Sequence, residues 1–205
     1  MPRTGARGGP QTRAKISEVA TRLFLERGFD TVTVAEVARE AGVSSVTVFN
    51  HFPRKEDLLL DREADAAELL RSAVRDRAPG VDVLTSLRAA ALALVGDRHA
   101  LSGLKDGSVP FFRTVAASPA LVARLREIAA ELQNTLAEEL GRDPAFDGDA
   151  TLLAAFLIAG YGTVIVETAR RLTEGEPPDA VAAHHRARLE RLFDALRTGV
   201  ATAPR

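Results

Sequence analysis

The chain of 205 residues has no cysteine, no tryptophan, one tyrosine and one methionine. The missing thiols exclude disulfides, thiolate nucleophiles and cysteine-based zinc sites, a composition suited to a reducing cytoplasm. No apolar run of the roughly 18–20 residues needed to cross a membrane is evident, so no membrane partner is expected. The basic start, Met1 to Gln11, has no apolar stretch behind it and does not read as a secretory signal. Several catalytic signatures are also missing: GxGxxG, the P-loop, GxSxG and HExxH. His184 and His185 are adjacent, so on a helix they point about 100° apart and cannot grip one metal together. Asp147 and Asp149 flank Gly148, which fits helix capping better than calcium binding. No catalytic residue, metal or cofactor is expected.

What remains is rich in helix formers. The hydrophobic fraction of 46% and charged fraction of 27% are those of a globular protein. The net charge of −1 is unevenly placed. Residues 1–55 carry nine Lys/Arg and five Asp/Glu; the remainder carries eighteen and twenty-three. A basic head on an acidic remainder suits a protein that sets one end on a polyanion.

Apolar periodicity predicts helices throughout and no sheet. Residues 1–11 read as a disordered tail. A helix opens at Thr12 on Ile16, Ala20, Leu23 and Phe24 and ends at Gly28. Thr33-Val34-Ala35-Glu36 matches a capping box. The helix it opens presents Val37, Ala38 and Ala41, and Gly42 makes the following turn. Ser44 caps a short helix from Ser45 to His51, which Pro53 stops. A long helix is predicted from Lys55 to Asp76 on Leu58, Leu59, Leu69, Leu70, Ala73 and Val74. Further helices are predicted over 82–96 and from Ser118-Pro119 to Leu140, the latter on Leu121, Leu125, Ile128, Leu132 and Leu136. Two more run from Asp149 to Thr173 and, capped by Asp179, to Arg197. Residues 97–118 read as a short helix and a loop. The expected architecture is all-α with about nine helices: a three-helix head (12–57), a larger helical body (58–198) and a short tail (199–205).

Val34 to Phe52 has the pattern of a helix-turn-helix, whose second helix must offer its side chains to the major groove. From Thr33 to Ser44, and at Thr47, Phe49, His51, Phe52, Lys55 and Leu58, the chain resembles the TetR-type transcriptional regulators. The resemblance covers about residues 12–60. It implies a DNA-binding role for Thr33, Ser45, Val46, Thr47, Phe49, Asn50, His51 and Lys55. Ser45 and Asn50 would reach base edges, Val46 a thymine methyl, and Thr33, Thr47, His51 and Lys55 phosphates. Two positions depart from the family's habit, which often has Gly where Val46 stands and Tyr where Phe49 stands. Arg3, Arg7 and Arg13 read chiefly as a solubilising tail, with minor-groove contact as the alternative.

Two heads must bind together for useful affinity, on half-sites about 34–36 Å apart or a multiple of that. A homodimer on palindromic double-stranded DNA is therefore expected. Val164, Thr168, Leu189, Leu192, Phe193 and Leu196 of the last two helices are the candidate interface. The resemblance further implies a small-molecule effector held by Leu104, Phe111, Phe112, Phe156 and Tyr161, with Arg113 or His99 as polar handles. It also implies repression relieved by that ligand, with the helix from Lys55 transmitting the change. The alternative is a body that binds no ligand and serves dimerisation or a protein partner.

Overall fold

The structure, a computed structural model, describes residues 9–199. Among them are nine α-helices and no strand. They are α1 (Gly9–Arg27), α2 (Val34–Ala41), α3 (Ser45–His51), α4 (Glu63–Arg75), α5 (Val83–Gly96), α6 (Ser108–Ala117), α7 (Pro119–Arg142), α8 (Ala150–Thr173) and α9 (Pro178–Gly199). Short 3-10 turns occupy Glu56–Leu58 and Ala100–Ser102. The chain forms two compact units. One holds the residues up to Asp61 together with Arg113–Leu125; the other holds Arg62–Phe112 and the residues from Arg126 onward.

In the first unit α1 packs on α2, and α2 on α3. Ile16, Ala20, Leu23 and Phe24 of α1 are fully buried, as the three- and four-residue spacing requires. The helix starts at Gly9, three residues before the expected Thr12. Pro10 sits in its first turn, where a missing N–H costs nothing. The segment Arg113–Leu125 joins this unit although it lies some fifty residues further along the chain. Ser118 donates to Asp30 at 3.0 Å, and Arg124 meets Asp57 at 2.9 Å with both side chains largely covered.

The long helix expected from Lys55 is not present. The chain makes a 3-10 turn at Glu56–Leu58, breaks, and restarts as α4 at Glu63. Leu58, Leu59 and Leu60 are all buried. In a continuous α-helix three successive side chains would fan over about 200°, so one would face water; the break lets all three turn inward. No single helix therefore runs from Lys55 into the second unit.

That second unit is built around Val74, Leu84, Leu87, Leu140, Leu157 and Leu189, from five different helices. Asp82 and Asp149 cap α5 and α8, accepting from Thr85 N and Leu152 N. α9 begins at Pro178, so Asp179 lies in its first turn rather than at its cap; proline fits the first helical position because that N–H has no intrahelical partner. Leu125, expected on the inner side of α7, is 39% exposed. α8 is long and apolar enough to cross a membrane by length and composition, contrary to the expectation that no such run exists. It packs along α9.

Between α8 and α9 lies an inaccessible histidine. His185 Nδ1 is 2.8 Å from Thr168 Oγ1, and Thr168 donates its hydroxyl hydrogen to the Val164 carbonyl at 2.9 Å. The ring must then donate from Nδ1, which leaves Nε2 as a buried acceptor with no partner. The ring of Tyr161 stands edge-on at 6.4 Å. Burial, with a smaller contribution from His184, lowers the His185 pKa from 6.5 to about 4. Between these values the unfolded chain holds the extra proton, so the fold is favoured in full above pH 6.5 and loses this contribution as pH falls to 4. We expect roughly 3 kcal/mol to disappear over that window. Urea midpoints at pH 7, 5.5 and 4 for the wild type and His185→Leu check this: the variant should lack this part of the pH dependence.

Candidate nucleic-acid interface

Local chemistry builds the helix-turn-helix. Thr33 Oγ1 accepts from Glu36 N, and the Glu36 carboxylate accepts from the Thr33 N–H at 2.7 Å and from its hydroxyl at 2.8 Å. These bonds hold the Glu36 carboxyl below the usual carboxylate range. Gly42 takes φ 70°, a left-handed conformation that glycine adopts without a Cβ penalty. The Val43 N–H then turns back to the Ala38 carbonyl at 2.9 Å and closes α2. Ser44 caps α3 by accepting from Thr47 N at 3.0 Å, and its hydroxyl pairs with that of Thr47 at 2.9 Å.

α3 has one buried side and one open side. Val48 is fully buried, and Phe52, just past the helix end, is 1% exposed. At about 100° per residue, Val48 lies 200° around the helix from Val46. Val46 is 69% exposed and Phe49 49%. Asn50 is exposed beside them, while Ser45, Thr47 and His51 are half-buried at the edges. The outward arc is thus Phe49, Val46, Asn50. Of the residues that the sequence singles out, Ser45, Val46, Thr47, Phe49, Asn50 and His51 share α3, and Val46, Phe49 and Asn50 face solvent.

The cations behave differently from the expectation. Lys55 is half-buried and donates from Nζ to the Phe29 carbonyl at 2.6 Å. Nζ also stands 4.3 Å from the centre of the Phe29 ring and 5.7 Å from that of Phe24. Desolvation lowers its pKa. It is an internal tie within the head rather than a flexible surface charge. Arg13 is no tail residue either: it lies within α1, donates to the His51 carbonyl, and stacks 4.0 Å over the Phe52 ring. A cation at the C-terminal end of α3 suits the helix dipole. Arg13 was missed because its partners are thirty-eight and thirty-nine positions away, with no local signal. Arg3 and Arg7 lie outside the described residues.

Two of the candidate ligand residues, Phe112 and Tyr161, reach the stretch 101–104 that carries a third, Leu104. Leu104 is buried, and Phe111 and Phe112 meet edge to face at 5.8 Å. Phe112 fills the space beside Gly103, where a Cβ would come within 2.8 Å of the ring. Phe156 is 51% exposed. Tyr161 already donates to the Leu101 carbonyl at 3.1 Å, and burial raises its pKa. His99 caps the 3-10 turn through Nδ1, and Arg113 is exposed. An open cavity of about 620 Å³ is lined instead by Arg75 with Arg77 to Leu84 and by Ala145 to Gly148.

The candidate dimer residues need a similar correction. Val164, Thr168, Leu189, Phe193 and Leu196 are buried within their own chain, where α8 packs on α9. Leu192 is half-buried and lies against Gly160, where a Cβ would clash at 2.4 Å. Helical spacing shows that these residues face a partner, but the partner is in the same chain. Leu152, Phe156 and Val166 of α8 are instead left exposed.

A helix-turn-helix head with an outward recognition arc, in an all-helical chain, defines the class of helical DNA-binding regulators. Residues 16–61 match the profile of the tetR family of bacterial regulatory proteins. The HTH-type transcriptional regulator TcmR of Streptomyces glaucescens is 27% identical over 158 residues, 75% of this chain and 70% of that protein. The regulator HbdR of Aromatoleum sp. (strain CIB) is 41% identical over 49 residues, which span only 21% of its length. Among solved structures, the TetR-family repressor FadR of Thermus thermophilus, crystallised with lauroyl-CoA, is 25% identical. It superposes with a TM-score of 0.59 over 94% of this chain and 97% of its own. Residues 16–61 thus carry a tetR-type DNA-binding head, and head, fold and relatives together resemble the TetR-type transcriptional regulators.

Removing the internal tie should weaken the head itself. Lys55→Ala leaves the Phe29 carbonyl without its donor and is expected to cost roughly 1–2 kcal/mol in urea denaturation, measured without DNA. A substitution that left stability unchanged would return Lys55 to the surface role.

Proposed function

We propose that this chain is a homodimeric repressor that reads a palindromic operator and is released from it by a small molecule in the cytoplasm. The observation that carries the proposal is the outward arc of α3, with Val46, Phe49 and Asn50 exposed opposite a fully buried Val48. Ser45, Thr47 and His51 border that arc, and Thr33 stands exposed at the start of α2. A major groove admits one such helix. Two helices on one operator supply the affinity that a single short helix does not. The exposed Leu152, Phe156 and Val166 on α8 support a second copy of the chain as the cover for that face. Effector binding is supported by the lauroyl-CoA complex of the Thermus relative. It would act through different affinities for two conformations of the dimer.

A second reading keeps the DNA and the dimer and drops the effector. The Tyr161 phenol, already bonded within the chain, and Phe156, half exposed to solvent, favour it. Thermal shift with acyl-CoA thioesters of graded chain length separates the two. Specific stabilisation with loss of DNA binding supports the effector, and none at any chain length supports the second reading.

The proposal as a whole is tested by selecting preferred DNA from a random pool. An inverted repeat is expected. Asn50→Ala should then relax preference at one base pair of each half-site by about 1–3 kcal/mol. In sedimentation, Phe156→Glu should shift the protein towards monomer and weaken the full repeat far more than a single half-site. A winning sequence without symmetry would sink the dimer.

A further inference from the structure

We infer that α3 reads its half-site chiefly through thymine methyl groups, with Val46 and Phe49 as the residues that set this preference. The inference rests on the DNA-binding reading above and concerns how that same surface selects sequence.

Most hydroxyls near the reading surface are already bonded within the head. Thr33 is bonded to Glu36, and Ser44 to Thr47. Ser45 is half-buried on the edge. Val46 and Phe49 are three positions apart and so share one face of the helix. Val46 is at the middle of the outward arc, about 60° from Phe49 and 40° from Asn50. The centre and one flank of the arc are therefore apolar, and Asn50 alone supplies hydrogen bonds there. Two large apolar side chains at 69% and 49% exposure gain little in water. In the major groove the apolar feature of the unmodified bases is the C5 methyl of thymine. An arc of this composition favours A·T pairs with their methyls under Val46 and Phe49. An adenine in reach of Asn50 adds the bidentate contact that its amide makes.

The test uses the full chain and the operator obtained by selection. Each thymine of a half-site is replaced in turn by deoxyuracil, which removes only the methyl. At least one replacement should weaken binding roughly fourfold, the transfer value of one buried carbon. That loss should vanish in Val46→Ala or Phe49→Ala, whichever residue touches the methyl. Both positions are exposed, so the variants should fold, and circular dichroism melts confirm it; the deoxyuracil series on the wild type needs no variant. Specific binding that is indifferent to every deoxyuracil replacement overturns this inference and leaves the regulator reading intact. So does a loss that persists in both variants. A pool that yields no preferred sequence overturns the regulator reading, and this inference with it.

Discussion

A helix of seven residues is not stable alone in water, because nucleation fixes several residues before the hydrogen bonds repay it. α3 exists because other parts of the head hold it. Val48 and Phe52 are buried beneath it, Ser44 closes its first turn, and Arg13 donates to its last carbonyl region while stacking on Phe52. These anchors occupy one side and both ends. What remains is an arc of about 100°, and only three side chains fall within it. The reading surface is small because the supports of the helix take up the rest.

The same constraint changes the meaning of the head's positive charge. The excess of basic residues in 1–55 suggested a surface made for phosphates. Yet Lys55 sits against Phe29 and its carbonyl, and Arg13 against Phe52 and the His51 carbonyl. Arg22 is paired with both Glu26 and Glu40 at the surface. Part of the charge is thus engaged within the head, and of these three cations only Arg13 supports α3 itself. Non-specific affinity grows with each phosphate neutralised, so a head that uses its cations internally binds DNA more weakly without sequence. On the proposed function, discrimination then depends more heavily on the few groups in the arc.

Much of the head was legible because its signals are local. The capping box at Thr33–Glu36, the left-handed Gly42 and the Ser44 cap each lie within four residues of what they control, and each forms as the sequence indicates. Signals that depend on distant partners were not legible. Periodicity shows that Leu58, Leu59 and Leu60 are apolar but not that burying all three needs a break in the helix. It places Leu125 on a stripe but not beyond its covering neighbours. Arg113–Leu125 joins the first unit through Asp30 and Asp57, contacts that no spacing rule reveals. Tyr161 was a candidate effector contact, yet its phenol meets Leu101, sixty positions away. The composition of a body helix shows how much surface must be covered. It does not show whether the cover is the same chain, a second copy or a ligand.

α8 makes that ambiguity quantitative. Its buried side already takes in Leu153, Leu157, Val164 and Thr168 within the chain. The outer side leaves Leu152, Phe156 and Val166 at 49%, 51% and 69% exposure. Full burial of one such side chain is worth about 1.5–3 kcal/mol, and these start half-covered. A symmetric contact counts each residue twice, so the patch contributes on the order of 5–10 kcal/mol before costs. Association itself costs an estimated 4–15 kcal/mol. On the proposed dimer, these three residues alone come close to balance, so further contacts or a bound operator must tip it. A duplex carrying two half-sites does so by raising the effective concentration of one subunit near the other. Dimerisation and DNA recognition would then be thermodynamically coupled, and an effector that favours one arrangement of α8 over another could act on both.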